Sequence, residues 1–158
     1  SHYMEGILRA RQRRHQAAMD SFTNAYHSNP NCIPALAALA ICKAAAHDYE
    51  AAEVLIDRGL DQEHLHDVLQ ALKIYCLGRR GRTERAPQLL SELTLSKSPV
   101  APWIIGIAQT GVGNIEQAQH QFAKCLIRKW PGALFPLLAL LLPGIAAFEP
   151  PRQYKKLA

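Results

Sequence analysis

An all-α array of stacked helical hairpins is the fold this sequence predicts, on three observations. Ala18, Ala52 and Ala86 recur at a spacing of 34 residues, and Ala118 follows after 32. Four residues after each alanine stands a larger apolar side chain, Phe22, Ile56, Leu90 or Phe122, and three further on stands Ala25, Gly59, Leu93 or Cys125. Residues four and three apart share one helix face, so each set is a buried stripe: the small residue admits a neighbouring helix and the large one fills the gap. The third observation is a short break ahead of every set, at Arg13-Arg14-His15, Ala46-His47-Asp48, Gly81-Arg82-Thr83 and Gly113-Asn114. Another apolar-periodic run precedes each break. Helix, turn, helix is therefore the repeating unit, and a fixed period of this length marks a solenoid.

In chain order the units are residues 1–32, 33–66, 67–98 and 99–131, with 132–158 forming a C-terminal packing helix around Leu134 to Leu142 and a short tail. The first unit begins inside its opening turn, so the expectation is a segment cut from a longer protein, with apolar helix faces at its ends that favour self-association. Pro87 falls in the opening turns of the second helix of unit three. Proline is tolerated at a helix start and bends the helix deeper in. The longest apolar stretch, Ala133 to Leu142, is interrupted by Pro136 and closed by Pro143-Gly144; it is about half the length a bilayer span needs. No membrane span is expected.

Composition and motifs argue against catalysis. Cys32, Cys42, Cys76 and Cys125 show no C-x-x-C spacing, and three lie in apolar runs where free cysteine behaves as a small hydrophobe. Neither zinc nor a disulfide is expected, and reduced thiols suit a cytoplasmic location. Of seven histidines only His64 and His66 cluster, beside Asp61, Glu63 and Asp67. Alternate helical residues point about 200° apart, so this reads as a solvated turn rather than a chelate. Neither H-E-x-x-H nor G-x-S-x-G occurs, and Gly111-Val112-Gly113 ends a helix and turns the chain rather than cradling a phosphate. No catalytic residue, no metal and no cofactor is expected.

The pattern resembles the tetratricopeptide repeat family over roughly residues 1–131. Unit one supplies Gly6, Ala18, Phe22, Ala25 and Pro30; unit two Leu36, Leu39, Ala40, Tyr49, Ala52 and Ile56; unit three Gly81, Ala86 and Leu90; unit four Ile105, Gly106, Gly113, Ala118 and Phe122. Unit three departs, with Lys73 and Ile74 where the family favours a large and then a small apolar residue. The resemblance implies a right-handed superhelix whose first helices line a concave groove. By carry-over the groove holds Tyr3, Ile7, Ala37, Ile41, Ala71, Tyr75, Trp103 and Ile107, with Trp103, Tyr75, Ile41 and Ile107 as anchors. One subclass of the family grips a terminal carboxylate with lysine and asparagine at these positions. Ala37, Ile41 and Ala71 cannot donate such a bond, so an apolar helix or extended segment is the expected ligand. That ligand is either a protein or peptide partner or the chain's own Leu134 to Leu142 helix.

A second candidate surface is basic. Arg9, Arg11, Arg13 and Arg14 close the first helix of unit one, and Arg79, Arg80, Arg82 and Arg85 surround the equivalent turn of unit three. Both clusters are expected on one edge of the array. Cations there also complement the helix C-terminal dipole. With a formal charge of +5 an anionic partner is conceivable, but no aromatic residues interleave the arginines for stacking on bases, which disfavours nucleic acid. The function expected is non-catalytic protein binding through the groove. The alternatives are a regulatory module of a bacterial transcription regulator or signalling enzyme, a secretion-type chaperone, and an RNA-associated scaffold resting on the basic edge alone.

Overall fold

Each repeat alanine lies in the opening turn of the second helix of a hairpin in the computed structural model, which describes residues 1–81, 84–96, 100–125 and 135–142. Among the described residues the elements are α1 (His2–Arg11), α2 (His15–Ser28), α3 (Ile33–Ala45), α4 (Tyr49–Gln62), α5 (Asp67–Arg79), α6 (Arg85–Thr94), α7 (Pro102–Gly111), α8 (Ile115–Lys124) and α9 (Phe135–Leu141). No strand occurs among them. The odd-numbered helix of each pair, from α1 to α7, packs on the next even-numbered one, and successive pairs stack in chain order. None of the described helices is long and apolar enough to cross a membrane.

Local chemistry sets the helix starts. Ser1 Oγ accepts from Met4 N at 3.4 Å, Asp48 Oδ1 from Ala51 N at 3.2 Å and His66 Nδ1 from Leu69 N at 3.3 Å. Pro34 and Pro102 occupy the first turns of α3 and α7, where no intrahelical donor is required. The histidine cluster is thereby accounted for: His66 caps α5, and the His64 carbonyl accepts from Gln70.

The first helices of all four hairpins end alike. Arg13, His47, Gly81 and Gly113 take φ of 60°, 62°, 77° and 86°. At α1 the Arg13 N–H donates to Ala10 O and the Arg14 N–H to Arg9 O, at 3.0 and 2.9 Å; His47 with Asp48, and Gly113 with Asn114, repeat the pattern. These bonds satisfy carbonyls that a helix end would leave orphaned, and the left-handed residue that makes them possible favours glycine. Hairpins one and two place arginine and histidine there. Arg13→Gly is accordingly expected to stabilise the fold by about 1 kcal/mol, the relief of left-handed strain outweighing glycine's extra freedom in the unfolded chain. A thermal melt checks it, with a rise of roughly 2–4 °C in midpoint.

Inside the hairpins, small faces large. A Cβ on Gly6 would lie 2.4 Å from the Phe22 ring, and one on Gly106 2.4 Å from the Phe122 ring. Both rings are buried, as is Ile56 in hairpin two. Hairpin three differs, because Ile74 occupies the site of the small residue and keeps α6 at arm's length; Leu90 is only half-buried. The array closes instead through α5 and α7. Gly78 and Gly111 bring their backbones together, a Cβ on Gly78 meeting the Gly111 carbonyl oxygen at 2.2 Å. Gly111-Val112-Gly113 ends the helix and turns the chain as expected, α7 closing at Gly111 and Gly113 making the turn, and Gly111 in addition makes room for α5.

Candidate functional site

The face formed by α1, α3 and α5 is where α9 sits. The short helix packs on α3 and α1, and the Tyr75 hydroxyl of α5 donates to the Leu141 carbonyl at 3.0 Å. Leu137, Leu138, Leu141 and Leu142 are all buried, whereas Leu140 is 37 % exposed. Of the expected groove residues, Ile7, Ala37, Ile41, Ala71, Tyr75, Trp103 and Ile107 are buried, and Tyr3 is half-buried with its ring 6.0 Å from that of Phe22. An open apolar groove with exposed anchors is therefore not what these residues form. Trp103 is 8 % exposed and enclosed with the core. Apolar side chains this concentrated do not stay in water when a leucine helix of the same chain can cover them.

Burial shifts three titratable groups of the first helices. The Tyr75 phenol is pushed up to about 12 by burial, as are the thiols of Cys42 on α3 and Cys76 on α5. Since the raised folded values favour the protonated forms, the stability they contribute is complete below the ordinary values near 9 to 10 and is lost as pH rises through about 12. Denaturation midpoints are expected to hold steady up to about pH 9 and to fall steeply from pH 10 to 12. Phenolate absorbance checks the tyrosine, because a Tyr75 that has lost its proton no longer donates to Leu141.

The basic residues sit in different surroundings. Arg9 is half-buried and hydrogen-bonds Ser21 Oγ. Arg80 pairs with Glu53 and, at 3.3 Å, with Glu50; Arg79 Nε donates to the Tyr49 hydroxyl at 3.3 Å. Arg11 is half-buried, while Arg13, Arg14 and Arg85 are exposed. Arg82 lies outside the described residues. Within the second cluster the α4 carboxylates Glu50 and Glu53 compensate Arg80.

Sequence reasoning missed the centre of that network. Glu53 is 7 % exposed, and its carboxylate lies between Lys73, at 3.3 Å, and Arg80. Lys73 also reaches Asp57 at 2.9 Å. The available signal was Lys73 itself, a cation where the repeat pattern expects a large apolar residue. Because Lys73 lies on α5, Arg80 caps its end and the carboxylates come from α4, this network locks hairpin two to hairpin three. Glu53→Ala leaves Lys73 with Asp57 alone and Arg80 with Glu50 alone, and is expected to cost about 2 kcal/mol, less than for a fully buried pair because water and these second carboxylates reach both cations. Urea denaturation reads it directly.

The two ends of the array differ. Met4 and Leu8 on α1 are 57 % and 54 % exposed, at repeat positions where Ala38 and Cys42, Leu72 and Cys76, and Ile104 and Ala108 are buried. At the other end, Gln109, Gln117, Gln119, Gln121 and His120 line a polar cleft on α7 and α8.

Comparison with known proteins gives one finding. A family model described as tetratricopeptide repeat matches residues 9–74, whereas neither the curated proteins nor the solved structures contain a match. The matched span begins in α1, takes in α2, α3 and α4 entirely and runs into α5. Residues 9–74 thus match the tetratricopeptide repeat family, and the hairpins stacked in sequence order, with small-against-large contacts at their centres, make the chain a helical array of that kind.

Proposed function

We propose that this chain is a non-catalytic protein-binding module whose first-helix face, built from α1, α3 and α5, takes an apolar helical segment. Tetratricopeptide repeats generally mediate protein–protein interaction. The observation that carries the finer reading is α9: a leucine-rich helix lies on this face with four leucine side chains buried. A face that accepts such a helix in cis has the shape and chemistry to accept one in trans. Four unpaired thiols fit a reducing, cytoplasmic setting.

Selection from a library of helical peptides, with the bound site mapped by amide chemical shifts, tests the reading. Winning peptides should carry an apolar stripe, shift α1, α3 and α5, and hold their affinity from 50 to 200 mM salt. Shifts confined to the α1–α2 turn around Arg13 and Arg14, with binding that collapses over that salt range, would replace it with recognition of an anionic partner.

A further inference from the structure

Resting on that reading of the face, we propose that it recognises the C-terminal end of a leucine-rich helix of another polypeptide, and that α9 holds the place until such a helix displaces it. Leu137, Leu138, Leu141 and Leu142 define the stripe, spaced i, i+1, i+4 and i+5. The carbonyls of a helix's last turn have no intrahelical donor. Leu141 closes α9, and its carbonyl receives the Tyr75 hydroxyl. Leucines and helix end are read by different elements, the stripe by α3 and α1 and the terminal carbonyl by α5. A ligand must therefore finish its helix above Tyr75, which sets both its register and its direction.

Displaceability follows from how α9 is held. The described residues of α9, Phe135–Leu141, make about two helical turns, a length that is not stable alone in water. Among the described residues it is seated by its leucine stripe and the Tyr75 hydroxyl. The helices α1 to α8 are each packed against sequence neighbours. A helix seated by one face, with Leu140 on the other side exposed, opens at lower free energy than the body it rests on. A competing helix of the same pattern then binds only the open fraction, and its apparent affinity is reduced by that fraction.

The test uses the full chain and a peptide of residues 133–142 that carries three lysines and a fluorophore at its N-terminus and an amide at its C-terminus. Leu138→Ala weakens the resident helix and should bind the peptide at least tenfold more tightly than the wild type. Adding Tyr75→Phe to that variant should lower affinity three- to tenfold by removing the donor to the helix end. Hydrogen exchange on the wild type should show residues 137–142 opening well before α3.

Equal binding by wild type and Leu138→Ala would overturn displacement and leave the helix-binding face standing. Peptide binding that stays absent, although exchange shows α9 released, would overturn the binding face as well. If residues 137–142 of the wild type exchange only together with α3, α9 is a fixed part of the core and displacement fails, whether or not Leu138→Ala folds. Indifference to Tyr75→Phe would overturn the reading of the helix end.

Discussion

Gly111→Ala is expected to destabilise the array by about 3 kcal/mol, the upper end of overpacking costs. A new Cβ would lie 2.2 Å from Tyr75 Cα and 2.9 Å from the Tyr75 carbonyl oxygen. These are backbone atoms, so no rotamer change relieves the clash and α5 must part from α7. Gly78→Ala meets the same wall from the opposite side, at 2.2 Å from the Gly111 carbonyl oxygen. The sign of the effect is diagnostic. Intrinsic helix propensity alone would make either change stabilising by up to about 1 kcal/mol, so a stabilised variant in urea denaturation would dismiss the close crossing. Because Tyr75 sits at that crossing and also holds the end of α9, Gly111→Ala should also raise the hydrogen exchange of residues 137–142.

Phe22→Ala is expected to cost about 3–5 kcal/mol, the usual range for an aromatic side chain deleted from a core. The ring is fully buried against Gly6, with Tyr3 beside it. Glycine opposite the ring has no side chain to swing into the void, so the cavity persists. Leu90→Ala, the same repeat position in hairpin three, should cost clearly less, because Leu90 is half-buried where Ile74 holds α6 away. A double-mutant cycle sharpens the point. Gly6→Ala forces a Cβ to 2.4 Å from the ring in the wild type, but that obstacle is absent once Phe22 is alanine, so the two changes should couple strongly. Additive effects in equilibrium unfolding would mean that Gly6 and Phe22 do not face each other.

Much of this was legible in the residues. The recurring alanines located the second helix of every hairpin, and the breaks at Arg13-Arg14-His15 and Gly113-Asn114 located the turns, because helix periodicity and chain reversal are both local properties. Lys73 and Ile74 mark hairpin three as irregular, in line with the half-buried Leu90 of its α6. The apolar character of Ile41, Ala71 and Tyr75 was equally plain. Their burial was not, since solvent exposure depends on what else lies nearby, and the cover comes from a leucine helix whose Leu141 is 66 residues beyond Tyr75.

Charge pairing was hidden for the same reason. Arg80 reads as a member of a basic cluster in one dimension and as the partner of Glu53, 27 residues earlier, in three. Local order along the chain settled the class of fold, the hairpin count and the position of each turn, because helices, caps and left-handed corners are decided by residues within a few places of one another. The glycine crossing of α5 and α7, the carboxylate between two cations and the seat of α9 were decided only in the folded molecule, where excluded volume and desolvation act between residues the sequence keeps far apart.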